Sequence, residues 1–172
     1  MLPSDHFVKF YNEIFKYLER KGPEELDRYY ERVAERQAFF TLDAFKRDGF
    51  KGMYDYWERI RIEENCDLTH GFDDNCYHLK MNVCPSLSKV TDNDAGPCRR
   101  YCDHCPGWVG RVLAWAGYFM VFDIVGRESP ECGFWVFRTH EEAELKRREL
   151  LSSRDENLVA TNFMFVGVVR ER

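Results

Sequence analysis

Apolar residues in the first third of the chain recur every three or four positions, the period of helices with one buried face. Phe7, Phe10, Tyr11, Ile14, Phe15 and Leu18 form the first stripe, with Ser4 or Asp5 available as a cap. Gly22 ends that helix, and Pro23 opens a second at a first-turn position where its missing N–H is no loss. The second carries Leu26, Tyr29, Tyr30 and Val33 on one side, and no clear signal marks its end near Ala38. A third stretch runs from Phe39 to about Arg47 and stops at Gly49; a fourth begins near Met53 with Tyr54, Trp57 and Ile60. The aromatics on these stripes read as core packing.

From about residue 58 the period shortens. Ile60 and Ile62 alternate with charged residues, and Tyr77, Leu79, Met81 and Val83 alternate with Cys76, His78, Lys80, Asn82 and Cys84. Alternation is the strand pattern, and the turn-rich run Gly71 to Asn75 predicts a β-hairpin. Pro85 breaks the second strand, Ser86 to Val90 suits a short helical turn, and Asp92 to Pro97 a loop. A helix to about Ala116 follows, starting at Cys98 or, given Pro106 and Gly107, only at Pro106. Gly117 to Val125 and Cys132 to Arg138 predict a second hairpin around Gly126, Ser129 and Pro130. Thr139-His140-Glu141-Glu142 is a capping box that opens a helix to about Leu151, with Arg147 and Arg148 near its end. Asn157 to Val169 reads as a closing strand. These elements predict one α+β domain: a helical segment, residues 1–57, packed on a small, mainly antiparallel sheet in a Cys/His-rich segment, residues 58–172.

The chain has 172 residues, 44% apolar and 16% aromatic, enough for one well-packed core. A formal charge of −5 disfavours nucleic acid and anionic membranes as partners. The longest apolar run, Val112 to Phe122, is too short to span a bilayer. The N-terminus runs straight into charged, helical sequence with no apolar signal region, and seven cysteines is an odd number. A reducing cytoplasm is expected, with thiols free for metal binding or catalysis.

Nine of the chain's Cys and His residues fall within positions 66–105: Cys66, His70, Cys76, His78, Cys84, Cys98, Cys102, His104 and Cys105. The sharpest unit is Cys98-x3-Cys102-x2-Cys105. As a helix it would string its thiols along about 11 Å, too far for one ion. As a loop between Pro97 and Pro106 it lets three thiolates converge, with Cys84 as a fourth. Cys84, Cys98, Cys102 and Cys105 are therefore the candidate metal ligands, for zinc or a [4Fe–4S] cluster. Arg99 and Arg100 favour the thiolate form. The spacing is the one by which radical SAM enzymes hold a [4Fe–4S] cluster. The likeness stops there, because His104 stands where that family usually has an aromatic residue. Cys66, His70, Cys76 and His78 form a second candidate constellation on the hairpin. Cys132 reads as a packing residue, and His6 and His140 as helix-surface residues. No glycine-rich phosphate loop, dinucleotide fingerprint or serine-nucleophile elbow is visible.

From Cys84 onward several short features line up: Cys84-Pro85 closing a strand, Tyr101-Cys102-Asp103 before a helix, Gly117 opening a hairpin, and Cys132 followed by Phe134 and Phe137. In this layout the chain resembles the 2-amino-thiazoline-4-carboxylate hydrolase-like family. The resemblance implies an α+β domain that opens a small cyclic amidine or thiazoline ring by hydrolysis, so a small molecule would be its substrate. Cys98 and Cys105 depart from it, because they suit a metal site better than a lone reactive thiol. Two functions follow. In a hydrolase, a metal-bound water would react with Asp103 or His104 moving protons, or Cys102 would attack, activated by His104 or the arginines. In a non-catalytic module, four thiolates would hold zinc or an iron–sulfur cluster for structure, sensing or interaction.

Overall fold

The computed structural model describes residues 3–92 and 96–168. Helices α1 (Pro3–Lys21), α2 (Pro23–Asp48) and α3 (Phe50–Glu63) precede the hairpin β1 (Asp67–Phe72) and β2 (Cys76–Val83). Then come α4 (Pro85–Thr91), a 3-10 turn (Tyr101–Asp103), α5 (His104–Trp115), β3 (Phe119–Asp123), β4 (Cys132–Phe137), α6 (His140–Leu151) and β5 (Val159–Thr161). The five strands form one antiparallel sheet in the order β1-β2-β4-β3-β5, so the α+β class expected from the sequence holds.

Strand alternation sorts the sheet into two faces. Tyr77, Leu79, Met120, Phe122, Phe134 and Val136 meet α2, α3 and α5 in the main core, where Trp57 lies 5.4 Å from the Phe134 ring. Val121 and Phe137 face the other way and meet Ala143 and Leu150 of α6. The α2–α5 approach is close: a Cβ on Gly107 would stand 2.5 Å from the Tyr30 ring, so only glycine fits there. Asn162, fully buried, locks α5 to the sheet by donating to the Gly110 and Tyr118 carbonyls and accepting the Met120 N–H.

Several element boundaries differ from the periodicity reading. Helix α2 runs without a break through Ala38, because Ala34, Thr41 and Phe45 keep one buried stripe; Phe39 and Phe40 point to solvent. Helix α3 continues to Glu63, so Ile60 and Ile62 are helical. Their alternation with charges reflects turn-spaced ion pairs such as Glu58–Arg61 and Arg59–Glu63, not a strand. Asn65, at φ 50°, turns the chain out of that helix. Of the first stripe, Phe15 is fully buried while Phe7 and Phe10 are exposed. The closing strand shrinks to Val159–Thr161, followed by a 3-10 turn at Phe163–Phe165. The helix after the loop starts at His104, beyond both Cys98 and Cys102. The side chains of Ser4 and Asp5, the capping candidates, lie outside what is described, as do Val169 and positions 93–95 of the loop. Thr139 caps α6 as expected, its Oγ1 accepting the Glu142 N–H and donating to the Glu142 carboxylate.

Candidate functional site

Four cysteines lie in the region where β2, β4, α4 and the start of α5 come together, Cys102, Cys105 and Cys132 against the main core and Cys84 against the neighbouring cluster that Cys102 also touches. Cys132 opens β4 opposite Met81 of β2, on the face covered by the helices. Cys84 lies just past the end of β2 as the N-cap of α4; its N–H donates to the Pro130 carbonyl (2.6 Å), and its Sγ accepts the Leu87 N–H (3.4 Å). Cys102 sits in the 3-10 turn and Cys105 in the first turn of α5. Fully buried Tyr101 ties that turn to α4 through a 2.6 Å hydrogen bond between its hydroxyl and Ser86 Oγ. The β3–β4 loop closes the other side. Arg127 donates to Asp103 Oδ1 (2.7 Å) and to the Arg99 and Asn157 carbonyls.

Within this patch each thiol lies near enough to the other three for one ionised sulfur to oppose the next. Burial is the larger cause in every case. It pushes the Cys102 thiol up to about 11 and Cys132 to about 12, raises Cys84, and holds Cys105 well above the usual thiol range. Arg127 pulls Cys102 back down, and the backbone N–H groups of Ser86 and Leu87 do the same for Cys84. By themselves the four are neutral thiols at pH 7, and a cation in their midst is what would sustain them as thiolates. Among the described residues, no three His, Cys, Asp or Glu side chains already close around one point as a single metal ion requires.

Of the four cysteines singled out in the sequence, Cys102 and Cys105 pack against the main core, and Cys84 and Cys102 pack against the second cluster, of which Cys98 is a buried member. Cys98 is buried between α1 and α2: its N–H donates to Asn12 Oδ1 (2.7 Å), its Sγ to Glu19 Oε2 (3.4 Å), and Phe15, Leu26 and Tyr30 pack in the same cluster. Cys132, read from the sequence as a packing residue, does pack against the main core, on the strand face it shares with Phe134 and Val136, and Cys102 and Cys105 pack against the same core.

Asp103 is held between Arg100 Nε (2.8 Å) and Arg127 (2.7 Å). His104 is buried, its Nδ1 bonded to the Tyr101 carbonyl and its ring 4.7 Å from Trp108 and 5.7 Å from Phe15. Burial draws its pKa down to about 4, so at pH 7 it is a neutral imidazole. The hairpin constellation separates. His70 pairs with Leu79 and Gly71 with His78, which puts the two histidines on opposite faces of the sheet. Cys76, raised to about 11 mainly by burial, belongs to the α6 side with Phe137. Cys66, just before β1, packs against the main core and feels the charge of Cys84.

His70 has a different setting, which sequence reasoning missed. Its Nε2 meets Glu58 Oε2 at 3.0 Å, its Nδ1 meets the Tyr77 hydroxyl at 3.1 Å, and its ring stacks on Tyr54 at 4.3 Å. Glu58, bonded to both Arg61 and His70, is held down at about 2.

No helix among the described residues is long and apolar enough to cross a membrane. In comparisons with known proteins, no family model, curated protein or solved structure matches the chain.

Proposed function

We propose that this protein is a metal-binding module whose centre is Cys84, Cys102, Cys105 and Cys132, holding zinc or an iron–sulfur cluster for structure or sensing. The observation that carries the reading is the gathering of four cysteines from three separate stretches of chain into one largely buried patch. Four soft sulfur donors suit zinc and iron–sulfur chemistry, and half-buried thiols kept protonated by their surroundings gain most from a shared cation. A bound centre would staple α4, α5 and β4 together. The ring-opening hydrolase reading lacks this support. Asp103 is engaged by two arginines, His104 is packed among aromatic rings, and Cys102 is a protonated thiol.

The test is metal content after anaerobic purification and reconstitution. Wild-type protein and Cys98→Ser should retain metal, and Cys132→Ser should lose it. Loss in Cys98→Ser with retention in Cys132→Ser would overturn the assignment.

A further inference from the structure

Phe39 and Phe40 are adjacent on α2 and stand 84% and 79% exposed, more than any other aromatic side chain among the described residues. Their rings meet edge to face at 5.1 Å, so they form one apolar knob rather than two scattered side chains. Elsewhere α2 exposes charged residues such as Arg28, Arg32, Arg36 and Asp43. Helix formation gives no reason for the exception, because phenylalanine is a weaker helix former than arginine or lysine.

We infer that this knob is half of a self-complementary interface, and that two copies of the chain pair through α2 packed antiparallel on α2. Beside the knob a groove of about 190 Å3 runs between α2 and α3, walled by Phe40, Ala44 and Phe45 on one side and by Gly52 and Tyr56 on the other. A cavity of about 150 Å3 takes a benzene ring, so the groove has room for one phenylalanine side chain. Knob and hole thus share one patch. A twofold contact requires that, since each copy gives a ring and receives one.

The charges fit the same pairing. Arg36, Phe39, Phe40 and Asp43 fall on one exposed face of α2 at helical spacing, opposite the buried stripe of Ala34, Thr41 and Phe45. An antiparallel crossing at the two phenylalanines sets Arg36 of each copy against Asp43 of the other, whereas a parallel one sets Arg36 on Arg36. The crossing also brings Arg32 towards Arg47, but each already holds a carboxylate, Glu35 at 3.0 Å and Asp48 at 2.6 Å. Four rings withdrawn together take roughly 600 Å2 out of water. A small specific interface buries about 1,200 Å2 in all, so the groove walls and the charged flanks must supply the rest. Contact of that size gives a weak dimer, with a dissociation constant on the order of micromolar.

The experiment is sedimentation velocity on the full chain over a range of about 1 to 500 µM. The wild type is expected to pass from monomer to dimer, and the Phe39→Ser/Phe40→Ser double variant to raise the dissociation constant at least about tenfold. Both side chains are exposed, so this variant should keep the helical circular dichroism of the wild type. Arg36→Asp and Asp43→Arg should each weaken the dimer. Both changes in one chain should restore it, because the exchanged charges meet again across the twofold. A wild type that stays monomeric throughout would overturn the interface and leave the phenylalanine pair to a different protein. A dimer indifferent to the phenylalanine changes would remove it from α2, and a charge exchange that restores nothing would sink the antiparallel register. None of these readouts involves metal, so failure of the thiol centre leaves them unchanged.

Discussion

Two polar groupings lie along β2, Tyr77 with His70 near one end and Cys84 with its three companions past the other, and they are opposites in kind. Around His70 the partners are complementary: a carboxylate, an imidazole and a phenol each satisfy the next, and Tyr54 covers the ring. Around Cys84 the members are alike, four thiols that burial holds in the protonated form, with neighbouring cysteines adding to the effect at Cys102, Cys105 and Cys132. The first grouping is complete as it stands, a half-buried hydrogen-bond network that pins β1 and β2 to α3. The second holds neutral thiols that pack against the core, and under the proposed reading it would ionise only around a bound cation.

With the proposed centre loaded, stripping its metal should have the largest effect, and should act on one grouping only. For a centre bound at about a thousand times its dissociation constant, mass action contributes about 4 kcal/mol. In a domain of this size that corresponds to a fall in Tm on the order of 10 °C, readable by calorimetry before and after chelation. An unchanged Tm would mean that the thiol patch contributes nothing to folding.

His70→Ala comes next. It leaves the Glu58 and Tyr77 oxygens without their shared partner and removes the Tyr54 stack, for an expected loss of about 2–4 kcal/mol in denaturant unfolding. Its metal content should equal that of the wild type; co-loss of metal would show that the two groupings are coupled. Tyr77→Phe removes only the hydroxyl, and should cost about 1 kcal/mol.

The smallest effect is a matter of pH. Glu58 sits at about 2 in the folded protein against an ordinary value of 4.5, so it binds a proton less readily folded than unfolded. The stability it adds is fully present above 4.5 and is lost as pH falls from there through about 2. Glu58→Gln should therefore flatten the acid limb of the stability curve over that window. An unaltered limb would assign the acid sensitivity to other carboxylates.

What could be read in the sequence follows the range of the interactions involved. The helices, the β1–β2 hairpin, the Thr139 cap and the glycine stops at Gly22 and Gly49 arise from neighbours a few residues apart, and local pattern showed them. The strand misread at Ile60 and Ile62 came from local signals too, since helix-surface ion pairs place charges beside apolar residues much as a strand does. The cysteine set needed more. Cys102 and Cys105 are one turn apart and stood out, and Cys98 stood out with them for the same reason of proximity. That Cys98 turns towards Glu19 depends on where α1 docks, and that Cys132 joins Cys84 depends on β4 pairing with β2. The strand alternation of Cys132 with Phe134 and Val136 places it on the core face, but which other thiols it faces is set by docking, not by its near neighbours. Glu58 and Tyr77 lie twelve and seven residues from His70, and only the packing of α3 on the hairpin joins them.

The β2–β4 pairing also bears on the order of events in the cell. An unfolded chain already presents Cys98, Cys102 and Cys105 within a span of eight residues, a ready chelate for any passing soft metal. The set that includes Cys84 and Cys132 exists only after strands separated by α4, α5 and β3 have found one another, a slow step because so long a loop must close. Under the proposed reading, metal offered before folding would meet the local trio and metal offered after folding the four that include Cys132, with the Cys98 thiol by then directed to Glu19.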